Sequence, residues 1–259
     1  MAAQQNQQKK RILIAHGWMH SAMRYRQLKK DLEQQCPCHI ELYEFPGFGD
    51  TPAKYKKNIL GHYEDDMRQY LAEHAFDGII AHSMGANIAL KAALGSTSLL
   101  LLSPVYHGLP YLKPFLVLYP VTAAGIRLLQ CPLSGCRYLI QLFSLPTVNR
   151  FAAMDRQLIT DVRKADPQTA ARALFELIFD SKRIPANAYC AQATLLLGQK
   201  DRVITKKSMA ILKNDLGGCP ATVFWGIGHT AVLENYQGLL EEAAEWVRHL
   251  PAHSQPKNP

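Results

Sequence analysis

Three residues far apart in a chain of 259 could together perform nucleophilic acyl transfer: Ser83, Asp201 and His229. Ser83 lies in Ala81-His82-Ser83-Met84-Gly85, after the apolar run Ile79-Ile80 and before the alanine-rich run Ala86 to Leu94. A serine hydroxyl is a weak nucleophile at neutral pH, so it needs a base within hydrogen-bond reach and a third group to orient that base. The small residues Ala81 and Gly85 leave room for a tight turn that would lift the Ser83 hydroxyl above a sheet edge. The bland alternative for Ser83 is a helix N-cap, a position that favours serine in any fold.

The other two groups follow strand-like runs. Asp201 stands just past Leu195-Leu196-Leu197-Gly198, and His229 follows Ala221-Thr222-Val223-Phe224-Trp225 with Gly226 and Gly228 between. The strand-end placement makes His229 the candidate base and Asp201 its orienter. Their alternatives are a surface-loop histidine and an aspartate that caps a helix or forms an ion pair. Glu234 is near His229 in sequence, but it is expected on the following helix and is set aside as the acid. Negative charge developing on a carbonyl oxygen also needs donors. The backbone N–H groups of Trp18, after Ala15-His16-Gly17, and of Met84 are the candidates for an oxyanion hole. His16 reads as a brace for its loop, and the Trp18 ring as a possible wall of an acyl pocket.

These residues need a scaffold that brings strand ends together. Strand-like segments fall at about 11–15, 38–44, 77–82, 98–102, 193–198 and 221–225, separated by helix-sized intervals, as in a mostly parallel sheet covered on both faces. Leu28 and Leu32 mark one amphipathic helix, and Tyr63, Met67 and Leu71 another, each at four-residue spacing. Tyr236 to Leu250 reads as a closing amphipathic helix. The rhythm breaks between the fourth and fifth strands, so residues 105–190 are expected to form an inserted, mainly helical lid on a body made of 1–104 and 191–259. Leu109, Tyr111, Phe115, Leu116, Leu139 and Phe143 could line an acyl site there, or simply pack lid to body. The lid carries ten Lys or Arg against five Asp or Glu. Arg150, Arg156, Arg163, Lys164 and Arg172 could attract an anionic carrier, although a solvated surface explains each of them singly.

Composition narrows the remaining classes. A hydrophobic fraction of 48% is that of a globular chain, and no apolar stretch reaches the ~20 residues needed to span a bilayer. The formal charge of +8 is dispersed, without the basic stripe and interleaved aromatics expected of a nucleic-acid binder. Six cysteines without Cys-x-x-Cys spacing read as free structural thiols. With a polar first ten residues, they make a cytoplasmic location the simplest expectation. No metal-ligand motif, phosphate loop or dinucleotide fingerprint is present in the sequence, so neither metal nor cofactor is expected.

Together these segments resemble the α/β-hydrolase fold. His16-Gly17-Trp18 looks like the family's oxyanion turn, Ala81 to Gly85 its nucleophile elbow, Gly198 to Asp201 its acid loop and Gly228-His229 its histidine loop. Pro46-Gly47-Phe48-Gly49-Asp50 looks like its glycine-rich turn, and the order Ser, Asp, His is the family's order. The resemblance implies a serine esterase with a shortened N-terminus lacking two antiparallel strands, and is weaker toward pimeloyl-carrier-protein methyl ester carboxylesterases. Ala81 departs from the usual elbow glycine. Thioesterase, lipase-like and C–C hydrolase activities share this geometry, and a catalytically silent binding scaffold is the non-enzymatic alternative. Oligomeric state is not legible.

Overall fold

The computed structural model describes residues 9–93, 97–109, 119–131, 156–185 and 192–251. Six strands form one sheet: β1 (Lys10–Ala15), β2 (Cys38–Tyr43), β3 (Gly78–His82), β4 (Ser98–Leu102), β5 (Ala193–Gly198) and β6 (Ala221–Phe224). Their order is β2-β1-β3-β4-β5-β6, and all five pairings are parallel. The chain runs outward from β1 to β2 and then returns to the other side of β1 with β3. That reversal falls between β1 and β3, and in sheets of this kind ligands are held outside the carboxyl ends of the strands at such a point.

Alternation along the strands divides the core in two. Leu13, Ile79, Leu99, Leu101 and Leu195 face one layer, with α2 (Ile59–Glu73), α3 (Met84–Ala92) and α7 (Lys206–Asp215) packed against it. Ile12, Ile14, Ile80, Leu100 and Leu196 face the other, beneath α1 (Arg26–Gln35) and α9 (Tyr236–His249), which follows the short α8 (Ala231–Glu234). The apolar positions expected of the helices are the ones that pack. Leu28, Leu32, Tyr63 and Met67 are fully buried, and Leu71 is half-buried against the same core. Helix α3 begins at Met84, immediately after the serine, and stops at Ala92, short of the expected Leu94.

Between β4 and β5 the described residues form α4 (Tyr119–Leu129), α5 (Arg156–Lys164) and α6 (Pro167–Phe179). Asp166 caps α6 by accepting from the Thr169 N–H at 2.7 Å, with Pro167 at the first helical position, where its missing N–H costs nothing. Among the described residues no helix is long and apolar enough to cross a membrane.

Candidate active site

Ser83 sits at the junction of β3 and α3 with φ 54° and ψ −112°. That backbone region costs a non-glycine residue about 1–3 kcal/mol and persists only where surrounding bonds fix it. Here three do: the Ser83 N–H donates to Leu102 O at 3.0 Å, and its carbonyl accepts from Asn87 and Val105 at 3.2 and 3.3 Å. Gly85 is required by close approach, because a Cβ there would lie 2.4 Å from His16 O. Ala81 is accommodated, buried in mid-sheet between Ala15 of β1 and Leu101 of β4.

The three remote candidates come together. His229 Nε2 lies 2.8 Å from Ser83 Oγ, and His229 Nδ1 lies 2.8 Å from Asp201 Oδ2. A carboxylate can only accept, so Nδ1 carries the proton and Nε2 presents its lone pair to the serine hydroxyl. Asp201 Oδ1 accepts from the Val203 and Ile204 N–H groups at 2.8 and 2.9 Å. Burial alone would raise the Asp201 pKa. The adjacent imidazole and the two backbone donors outweigh it and hold the carboxyl below its ordinary value. Asp201 is therefore ionised at neutral pH. Ser83 and His229 are 6% and 4% exposed, so their interaction is weakly screened by water.

The acid and base loops interlock. Gly198 tolerates no side chain, since a Cβ there would fall 1.9 Å from Gly228 O. The Lys200 N–H donates to Ile227 O at 2.8 Å. Glu234 accepts from the Gly228 N–H at 3.0 Å. It holds the loop, a role that its position in the sequence does not signal.

On the other side of Ser83, the turn after β1 approaches closely: a Cβ on Gly17 would lie 3.1 Å from Ser83 Cβ. Trp18 follows that glycine, and Met84 is the first residue of α3, whose leading N–H groups have no acceptor within the helix. The two candidate oxyanion residues thus flank the serine. His16 does brace this region: Nδ1 lies 2.8 Å from Gly17 O, and Nε2 lies 2.9 Å from Glu44 Oε1 and 3.1 Å from the Phe45 nitrogen. The Trp18 indole N–H donates to Ala170 O in α6 at 2.8 Å, so the ring ties the turn to the inserted helices. Ser21 Oγ and the Arg24 guanidinium, in the stretch after that turn, both bind Asp161 of α5, at 2.5 Å and at 2.9 and 2.7 Å. Sequence reasoning missed Arg24 and Asp161, which are 137 positions apart.

Leu109 is buried; Tyr111, Phe115, Leu116, Leu139, Phe143 and Arg150 lie outside the described residues. Lys164 pairs with Asp50 and Arg172 with Glu176, while Arg163 is exposed. Among the described residues no group of three or more His, Cys, Asp or Glu is arranged to hold a metal ion.

A parallel sheet with a strained serine between strand and helix, beside an imidazole and a carboxylate from the next loops, defines the α/β-hydrolase class. Residues 12–243 match the Alpha/beta hydrolase family, and the chain belongs to it. No curated protein matches the sequence. Among solved structures, an esterase from Exiguobacterium antarcticum is similar at TM-score 0.72 and 14% identity, over 92% of each chain. An esterase from Thermogutta terrifontis follows at 0.70 and 16%, over 94% of this chain and 91% of that one. A 2-hydroxy-6-oxo-6-phenylhexa-2,4-dienoate hydrolase from Rhodococcus sp. strain RHA1 is similar at 0.69 and 15%, over 93% and 91%. At these identities the likeness is one of fold.

Proposed function

We propose that this chain is a serine carboxylesterase that cleaves small-molecule acyl esters through an acyl-enzyme intermediate, with Ser83 as nucleophile, His229 as general base and Asp201 as its orienter. The observation that carries the reading is the unbroken chain of contacts from Ser83 Oγ through His229 to Asp201, 2.8 Å at each step. The esterases among its structural neighbours support the choice of substrate bond.

In this reading Ser83 Oγ attacks the ester carbonyl as its proton passes to His229 Nε2. The new oxyanion accepts from the backbone N–H groups of Trp18 and Met84. His229 then gives the proton to the leaving alkoxide as the C–O bond breaks. Water repeats the sequence on the acyl-serine, releasing the acid and restoring Ser83. Asp201 stays ionised throughout and stabilises the imidazolium. Residues 1–104 and 191–259 form the body and 105–190 the lid. Of the basic residues that could attract an anionic carrier, Lys164 and Arg172 pair with Asp50 and Glu176 and Arg163 is exposed. The free thiols of Cys36, Cys38, Cys131 and Cys219 suit a reducing cytoplasm.

The test is covalent labelling with a fluorophosphonate, beside a panel of p-nitrophenyl esters, acyl thioesters and carrier-linked methyl esters. Wild-type protein is expected to label and to prefer the simple esters, and the Ser83→Ala variant to do neither. Equal labelling of Ser83→Ala would sink the assignment.

A further inference from the structure

The residue immediately before the serine does more than fill the elbow. The His82 side chain leaves the carboxyl end of β3 on the layer opposite α3 and is 3% exposed. Its Nε2 lies 3.2 Å from the main-chain oxygen of His229. A carbonyl only accepts, so the proton of this ring is on Nε2 and the lone pair on Nδ1. The ring also packs against the His229 imidazole, with centroids 5.2 Å apart and planes tilted by 45°. On its other side His20 stacks on it at 5.2 Å and 17°. Its Nδ1 faces the oxyanion turn so closely that a Cβ on Gly17 would meet it at 2.7 Å. One imidazole therefore touches the base loop, the oxyanion turn and, through the backbone, the nucleophile.

The rest of its surroundings keep that ring neutral. Burial is the largest influence and holds the His82 pKa at about 3, with the His229 imidazole next; the bond to the His229 carbonyl and the Asp201 carboxylate act in the opposite sense, and Arg24 adds to the lowering. His20 is likewise held well below the ordinary histidine value, by burial first and then by Arg24. His82 Nδ1, His20 Nδ1 and Tyr25 Oη are all buried without a hydrogen-bond partner. Among the described residues the Nδ1 atom has no hydrogen-bond partner, and the Nε2 proton has the His229 carbonyl as its acceptor.

We propose that His82 is a positioning residue: its Nε2–H anchors the His229 carbonyl, and its ring braces the His229 imidazole at the distance from Ser83 and Asp201 that catalysis requires. The assignment rests on the Ser83, His229 and Asp201 reading. It predicts a division between two substitutions. His82→Phe keeps a ring against His20 and His229 but removes the donor, whereas His82→Gln keeps a donor of similar reach.

The experiment measures p-nitrophenyl ester hydrolysis, fluorophosphonate labelling rate, and the low-field proton resonance of His229 Nδ1–H in wild type and both variants. Misplacing a reacting group by a fraction of an ångström to 1 Å costs up to about a hundredfold. His82→Phe is accordingly expected to lower kcat by about ten- to a hundredfold, with KM nearly unchanged and the low-field resonance broadened or lost. His82→Gln should recover most of both. A folded His82→Phe variant with wild-type kcat and an intact resonance overturns the proposal, as does a His82→Gln variant impaired as deeply as His82→Phe. Should His82→Phe fail to fold, nitrogen-labelled histidine in the wild type decides: an Nε2-protonated neutral ring at pH 7 supports the assignment and the Nδ1 tautomer overturns it. Wild-type protein that does not label with fluorophosphonate overturns the Ser83 reading itself. Wild type that labels, beside an unimpaired His82→Phe, overturns this assignment alone.

Discussion

The two loops that flank Ser83 are held by different parts of the molecule. On the His229 side the contacts are within the body: Gly198 against Gly228, Lys200 bonded to Ile227, Asp201 bonded to His229 and to its own loop, and Glu234 bonded to Gly228. On the Trp18 side they cross to the inserted helices: Trp18 to Ala170, and Ser21 and Arg24 to Asp161. The His229 loop is thus positioned by neighbouring strand ends, which the sheet brings together anyway. The turn after β1 is braced from the body by His16 and is also bonded to α5 and α6, so the inserted helices are placed to contribute to its geometry.

Breaking the body side should have the largest effect on rate and a smaller one on folding. Asp201→Asn removes the charge that fixes the His229 tautomer and favours the imidazolium, and is expected to lower kcat by about ten-thousandfold while KM changes little. Steady-state kinetics check this. A loss of less than tenfold would show that the imidazole is oriented by its loop alone.

Breaking the lid side should do the reverse. Arg24 and Asp161 form a buried pair, with side chains 2% and 0% exposed. Burial holds the Asp161 carboxyl above its ordinary value despite Arg24, Ser21 and Gln157, so desolvation outweighs what its partners return. Asp161→Ala takes the carboxylate from a buried guanidinium and should destabilise the fold by about 3–5 kcal/mol. The paired change Arg24→Met with Asp161→Leu should recover most of that stability. Urea denaturation of the three proteins measures both. If the double variant is as unstable as the single, the pair is holding the lid by geometry that an apolar contact cannot replace.

The sequence made these two sides unequally legible. All six strands fall within about two residues of where apolar and β-branched runs place them, most plainly the buried central ones, because a sheet covered on both faces demands continuous hydrophobicity there. Ser83, Asp201 and His229 stood out because each follows such a run, at the sheet edge where loops converge. Arg24 and Asp161 gave no such signal: each is an ordinary charged residue until the fold brings two distant helical segments together. His82 was silent for another reason. It alternates onto the buried face of β3, where a histidine in a core reads as packing, and its partner is a main-chain oxygen that no side-chain pattern reveals.

Acidification should probe the body side more gently. Folded His82 titrates at about 3 against an ordinary 6.5, and folded His20 well below 6.5. Both rings are neutral in the fold and take up protons on unfolding below pH 6.5, so the unfolded state binds more protons there and stability rises with pH. Their contribution is intact above about 6.5 and is lost as pH falls toward 3. The urea midpoint of the wild type should therefore drop between pH 7 and pH 4.5 more steeply than that of His82→Gln. Parallel slopes would mean that the His82 ring charges without unfolding.

The smallest effect should come from Trp18→Phe. The change removes the indole N–H, which donates to Ala170 O of α6 at 2.8 Å. That carbonyl lies inside α6 and retains its helical partner, so no buried acceptor is orphaned, and the loss is near the low end for a net hydrogen bond, about 0.5–1 kcal/mol. Thermal denaturation should register it as a shift of only a few degrees. If the lid sets the oxyanion turn, kcat should fall severalfold at unchanged KM while the His229 low-field resonance stays as in the wild type. A variant with unaltered kcat would mean that the turn keeps its shape through His16 and the Gly17 backbone, independently of α6.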